Sequence, residues 1–264
     1  MLYKKLLTGA TILALSACGG IKLNQMTLIP NAQMDAMGIQ SFEEMKTTLP
    51  ISTDYKTNRY VSCVANAITD QVSVDEFSGQ WEVVVFESDQ VNAFALPGGK
   101  IGVYTGILNV ATSQGQLAAI IGHEVAHVLE EHSNQRMSLG LVAGAAMALG
   151  EGSLSNASEE NKGLIMAGLG LGINYGVTLP FSRSHESESD VRGHVLMAKA
   201  GFDPYDAVRL WENMANNSQG QPPEFMSSHP SHKTRIDGLT QHVNLVEHYY
   251  KAVRIKPSCE GFLK

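Results

Sequence analysis

The stretch Ile120-Ile121-Gly122-His123-Glu124-Val125-Ala126-His127-Val128-Leu129 decides how the rest of the chain is read. On an α-helix, residues four apart lie one above the other, so His123 and His127 project from one face and can both reach a single Zn²⁺ at about 2.0–2.1 Å. Glu124 is rotated off that face toward the open coordination position. There it can take a proton from a water polarised by the metal and later hand it to a leaving amine. These polar residues stand among Leu117, Ala118, Ile120, Ile121, Val125, Ala126 and Val128, which marks Gln116 to Ser133 as a buried helix. A chance H-E-x-x-H on a solvated helix would not be flanked in this way. Two histidines and a glutamate inside an apolar helix need a partner.

A catalytic zinc keeps three protein ligands and one open position, so a third ligand is required. In Ser182-Arg183-Ser184-His185-Glu186-Ser187-Glu188-Ser189-Asp190-Val191-Arg192-Gly193, the residues Glu186, Asp190 and Gly193 fall at i, i+4 and i+7 of one helical face. Gly193 lets a neighbouring helix approach closely. Glu186 is therefore read as the ligand and Asp190 as a carboxylate orienting a zinc-bound imidazole. Glu188 points roughly 200° away. It and His185 are expected to face solvent and are the lesser candidates for metal.

The chain has 264 residues, 44% of them hydrophobic and 17% charged, which excludes a disordered chain. Its 25 glycines follow no collagen period, and its three cysteines cannot make a dense disulfide framework. Net charge is −7 without any dense Lys/Arg cluster, which argues against a nucleic-acid partner. The start resembles a targeting signal: Lys4 and Lys5, then an apolar run from Leu6 to Leu15 that is shorter than the ~20 residues a bilayer requires. Leu15-Ser16-Ala17-Cys18, followed by Gly19-Gly20, resembles a bacterial lipobox, in which Cys18 is acylated and becomes the mature N-terminus. An ordinary secretory signal containing a cysteine is the plainer alternative. Gly after the cysteine resembles the sorting pattern of outer-membrane lipoproteins.

The expected organisation is a lipoprotein signal peptide over 1–17, a tether over 18–35 and a single domain over 36–264. Loss of the signal removes Lys4 and Lys5 and takes the charge to −9. Cys63 and Cys259 then remain in an oxidising periplasm, where one disulfide is expected over two free buried thiols. With the cysteines so occupied, none is left for the metal.

Along the domain, Ile39 to Val72 reads as helical and Trp81 to Phe86 as a strand. Val91 to Gly106 reads as a hairpin around Pro97-Gly98-Gly99. Met137–Leu149 and Gly163–Leu179 are apolar and rich in Gly, Ala and Leu. The first has 13 residues and the second is punctuated by glycines, which favours packed helices or a flap over a transmembrane hairpin. Contact with lipid at the interface stays open. Further helices are expected at Ser184–Ala200, Tyr205–Asn217 and Arg235–Val253, with a Gly/Pro loop between the last two. The fold class is mainly α with a small β-sheet (α+β).

H-E-x-x-H, followed some sixty residues later by Ser-Arg-x-x-Glu-x-Glu-x-Asp-x-x-Gly and preceded by Asn-Ala-x-Ala-x-Pro-Gly-Gly, resembles the zinc metalloprotease family that includes HtpX, BepA and the CAAX prenyl proteases. The likeness covers roughly residues 55–250 and is greatest to lipoprotein members. Ser189 departs from the Ala common at its position. The resemblance implies a zincin-like domain with one Zn²⁺ per chain. It also implies that Asn92, Ala93, Phe94, Ala95, Pro97, Gly98 and Gly99 hold an extended peptide by backbone pairing, where the residues alone give an ordinary buried hairpin. It places His229 and Arg235 at the rim of the site. His229 would stabilise the oxyanion or occupy the fourth zinc position in a latent state, and Arg235 would pair with Asp190 or the substrate. His132, His194 and the remaining histidines receive no role.

The function expected is a zinc endopeptidase held by lipid in the outer membrane and facing the periplasm, cleaving unfolded or misassembled envelope proteins. Its partners would be extended polypeptides, the membrane and the outer-membrane assembly machinery. The alternative is a chaperone-like assembly factor with little proteolysis, using the apolar stretches 137–149 and 163–179. Glu124 counts against it, because a pure binder has no use for that group. Action on cell-wall peptides or lipids is disfavoured by the hairpin.

Overall fold

Local chemistry sets the helix boundaries of the domain. A computed structural model describes residues 25–150, 182–217, 225, 228, 229 and 233–264. Cys18, the signal segment and the stretch 163–179 lie outside the described residues. Helix α1 is Asn31–Thr48 and α2 is Tyr55–Thr69, the latter started by Asp54, whose side chain accepts from the Thr57 N–H. A single helical stretch from Ile39 to Val72 is thus corrected to two helices, split around Pro50, which has no N–H to continue a helix. The tether expected to reach residue 35 gives way to helix at Asn31. Before that helix, Leu28 N–H donates to Ser138 Oγ at 2.7 Å and Asn134 Nδ2 donates to the Ile29 carbonyl at 2.7 Å.

Strands β1 (Glu82–Phe86), β2 (Ala93–Leu96) and β3 (Lys100–Tyr104) form a sheet of order β1-β3-β2, with β1 parallel and β2 antiparallel to β3. The β2–β3 turn needs its glycines, because Gly98 and Gly99 sit at φ +80° and +74°. Strand β2 is left at the sheet edge. Tyr104 N–H donates to the Asn92 carbonyl, so the alternation of an antiparallel pair turns the N–H and C=O of Ala93 and Ala95 away from β3.

Helix α3 is Gln114–Leu129, capped by Ser113, which accepts from Gln116 N–H at 3.1 Å, while Gln116 Oε1 reaches back to Thr112 N–H at 2.7 Å. Leu117, Ile120, Ile121 and Val125 on it are fully buried, each burial stabilising by about 1.5–3 kcal/mol. The helix was expected to run to Ser133. It ends at Leu129 because Glu131 adopts φ +54°, and α4 (His132–Gly150) sets off in a new direction. The stretch 137–149 belongs to α4, and no helix among the described residues is long and apolar enough to cross a membrane.

Helices α5 (Arg183–Ala200), α6 (Tyr205–Asn217) and α7 (Lys233–Ala252) complete the described bundle. Ser182 caps α5, and Gly201 at φ +89° ends it in a Schellman-type stop, with Phe202 N–H donating to the Met197 carbonyl at 3.0 Å. Cys63 of α2 and Cys259 of the C-terminal 3₁₀ turn (Cys259–Leu263) are joined by a disulfide that closes a loop of 196 residues.

Candidate metal centre

The site exists because α3 and α5 cross almost backbone to backbone. A Cβ on Gly193 would lie 2.6 Å from the His123 backbone N, and one on Gly122 would lie 2.9 Å from the Gly193 carbonyl oxygen. At that crossing Asp190 and Glu186, one and two turns before Gly193, are pressed against the imidazoles of α3. His123, His127, Glu186 and His229 bring four ligand atoms within 4.8 Å of one another, all on buried residues.

The edges of this cluster test its fit to zinc. His127 Nε2 lies 3.0 Å from His123 Nε2, and His229 Nδ1 lies 3.3 Å from His123 Nε2 and 3.1 Å from Glu186 Oε1. The Glu186 oxygens lie 3.5 Å from each motif imidazole. A tetrahedron with ligands at zinc distances has edges of about 3.3 Å, so these four donors span a polyhedron of the right size. One carboxylate and three imidazoles converging in a buried space also supply the borderline donor set that zinc prefers. The residues fit the ion.

Around the donors, His123 Nδ1 lies 3.1 Å from Asp190 Oδ1. Arg235 grips Asp190 with Nε and Nη2, both at 2.6 Å, and Glu186 with Nη1 at 2.5 Å, while its guanidinium stacks 4.2 Å from the Trp211 ring centroid. Arg235 and His229 were expected at the rim, and both are buried. The guanidinium can be buried because two carboxylates neutralise it. His229 is held by its N–H to the Phe225 carbonyl at 2.9 Å and by stacking on the Phe225 ring.

The electrostatics divide the site. Burial alone would raise Glu186, but the hydrogen bonds from His123 and His229 outweigh it and hold the carboxyl far below its usual range. Asp190 is likewise lowered against its burial by Arg235. Burial disfavours a charged His123, yet Asp190 and Glu186 push it up to about 9. His127 is driven well below its ordinary value by burial and by the charge on His123. Glu124 is the carboxyl that moves the other way: burial raises it, and the charges of His229 and His123 only partly offset this. Its Oε1 lies 3.3 Å from His229 Nε2, and the outward-facing N–H of Ala95 on β2 also pulls it down a little.

Two expectations need correction. His185 does not face solvent: it is buried and stacks on His132 at 4.3 Å between ring centroids. The reason is that the start of α4 covers the flank of α5 about 100° from Glu186, onto which His185 points. Glu188 is half-exposed, but its Oε2 lies 3.1 Å from His132 Nε2. Neither residue enters the donor cluster. His132, given no role from the sequence, is fully buried with Nδ1 2.9 Å from His127 Nδ1. Its place depends on the turn at Glu131, which leaves no periodic trace in the sequence. Ser189 is not silent either, since its hydroxyl lies 3.2 Å from His132 Nδ1.

Comparison with known proteins agrees with this geometry. The model of peptidase family M48 matches residues 55–243. The mitochondrial metalloendopeptidase OMA1 of Schizosaccharomyces pombe is 36% identical over 184 residues, covering 69% of this chain and 52% of the relative. The zebrafish (Danio rerio) mitochondrial metalloendopeptidase OMA1 is 34% identical, covering 75% of this chain and 43% of its own length. The β-barrel assembly-enhancing protease of Yersinia pestis is 24% identical, covering 79% of this chain and 43% of the relative. The chain thus spans about half or less of the length of these curated relatives.

Proposed function

The chain belongs to peptidase family M48, a family of zinc metalloproteases, and from that membership we propose that it is a zinc endopeptidase of the bacterial envelope. The observation that carries the reading is the convergence of His123, His127 and Glu186 beside a buried Glu124 and a free strand edge. His123, His127 and Glu186 would hold the zinc, which when bound supplies Lewis-acid activation of water and of the scissile carbonyl. Glu124 carries the proton. Its raised carboxyl is suited to take a proton from the attacking water and return it to the leaving nitrogen. An extended peptide pairs with the outward groups of Ala93 and Ala95, and the Pro97-Gly98-Gly99 turn bounds that edge. This brings its backbone alongside Glu124. Asp190 holds His123 through Nδ1, and Arg235, which grips Asp190 and Glu186, acts as a positioning residue. His229 lies as a fourth donor, which supports its reading as the plug of a latent form; withdrawn from the donors, the same imidazole suits the oxyanion.

The finer placement is an outer-membrane lipoprotein facing the periplasm and acting on unfolded or misassembled envelope proteins, resembling the lipoprotein protease LoiP. The lipobox-like Leu15-Ser16-Ala17-Cys18 and the Cys63–Cys259 disulfide support it. The name of the Yersinia relative favours a part in β-barrel assembly, and it also keeps a chaperone-like role in view. The test is Glu124→Gln. It is expected to keep one zinc per chain and lose casein hydrolysis by about 10²–10⁴-fold. Hydrolysis at the wild-type rate would refute the proposal, and complementation of an envelope-stress defect by that variant would favour the chaperone reading.

A further inference from the structure

We propose that His132 and Glu188 are positioning residues for His127, fixing its imidazole in the tautomer that leaves Nε2 free for the metal. The inference rests on the ligand set of the preceding section. His127 turns Nε2 toward the other donors and Nδ1 away from them, onto His132 Nδ1 at 2.9 Å. Two ring nitrogens at that distance share one proton. Because Nε2 must keep its lone pair to bind metal, the proton belongs on His127 Nδ1, which donates, and His132 Nδ1 accepts. His132 then carries its own proton on Nε2, and that N–H donates to Glu188 Oε2 at 3.1 Å. Each hydrogen bond in the line has one donor and one acceptor, and the carboxylate at the far end fixes its direction.

The ring of His132 is not free to turn. It is fully buried, it stacks within 18° of parallel on His185, and the Ser189 hydroxyl lies 3.2 Å from its Nδ1. The two motif histidines are therefore backed differently. His123 meets the carboxylate of Asp190 directly at 3.1 Å, whereas His127 reaches a carboxylate through an intervening imidazole. Groups that orient a metal-bound histidine in this way are typically worth about 10–100-fold in metal affinity.

The experiment is competition for Zn²⁺ against a chromophoric chelator, with the visible spectrum of the Co²⁺-substituted full chain as a second readout. His132→Phe keeps a ring stacked on His185 but removes the acceptor. His132→Asn restores a carbonyl oxygen near the position of Nδ1. Glu188→Ala removes only the half-exposed end of the line and so spares the fold. Zinc affinity should fall about 10–100-fold in His132→Phe, with shifted Co²⁺ bands, recover to within about threefold in His132→Asn, and fall about 3–10-fold in Glu188→Ala. Wild-type affinity in both His132→Phe and Glu188→Ala would overturn the proposal, as would a His132→Asn protein no better than His132→Phe. If His132→Phe does not fold, Glu188→Ala alone decides. His127→Ala separates the two levels of the argument: zinc binding at wild-type affinity there defeats the ligand set itself. Loss of zinc there with unchanged His132 and Glu188 variants defeats only the positioning line.

Discussion

Helices α3 and α5 contribute the two halves of one candidate metal centre and are held in place by opposite means. Helix α3 is buried on all sides, with Leu117, Ile120, Ile121 and Val125 fully buried, and its polar residues are embedded in that apolar core. Helix α5 seats only its C-terminal turns in the core, through Leu196, Met197 and Ala200, whereas its N-terminal half buries Glu186, Ser189 and Asp190, so burial alone would disfavour the position of that half. What seats it is the glycine crossing at Gly193 and the grip of Arg235 on two of its carboxylates. The motif histidines are thus placed by hydrophobic packing, whereas the proposed third donor is placed by steric fit and charge.

The largest effect should come from cutting the charge grip. Arg235→Ala leaves Glu186 and Asp190 buried without their partner and should cost about 3–5 kcal/mol in urea unfolding. A loss under 1 kcal/mol would mean that α5 is seated by something else. Next is the crossing. Gly193→Ala drives a Cβ into the His123 backbone and should cost about 1–3 kcal/mol and weaken zinc binding. Gly238→Ala, on α7 with nothing within 4 Å of the added carbon, should be neutral or stabilising by up to about 1 kcal/mol. Equal costs at the two glycines would break the steric half of the comparison. On α3, Ile121→Val should cost about 0.5–1.5 kcal/mol and leave zinc affinity unchanged, since only packing is lost.

One effect is confined to low pH. Burial holds His194, hydrogen-bonded to the Pro204 carbonyl, down to about 4, so the folded protein keeps it neutral. The unfolded chain binds that proton first, near 6.5, so the contribution of His194 is whole above that pH and is lost as pH falls toward 4. His194→Gln should therefore lose less stability than wild type between pH 6.5 and 4, and melting profiles across that window will show whether the slopes differ.

The same contrast explains what was legible in the sequence. His123, Glu124 and His127 stood out because apolar neighbours at helical spacing declare a buried helix. Glu186 and Asp190 followed from their register with Gly193, and the hairpin from Pro97-Gly98-Gly99. Hidden were the features set by chain direction. The turn at Glu131, with φ +54° on a residue other than glycine, sends α4 back past α3 and carries His132 beneath His127. Periodicity also assigns a residue to a face without saying what covers it, which is why His185 was placed in solvent and is in fact buried. The family resemblance put Arg235 at the rim with Asp190 or the substrate as its partner, and only the structure buries it and adds Glu186 as a second carboxylate.

The central claim is that α5 supplies the third ligand through Glu186. Its most direct test is the zinc content of purified Glu186→Ala and Glu188→Ala, each exchanged into buffer with zinc in excess of any weakened affinity and then freed of unbound metal. Close to one zinc per chain is expected in wild type and Glu188→Ala and almost none in Glu186→Ala. Stoichiometric zinc in Glu186→Ala, with loss in Glu188→Ala, would contradict the claim.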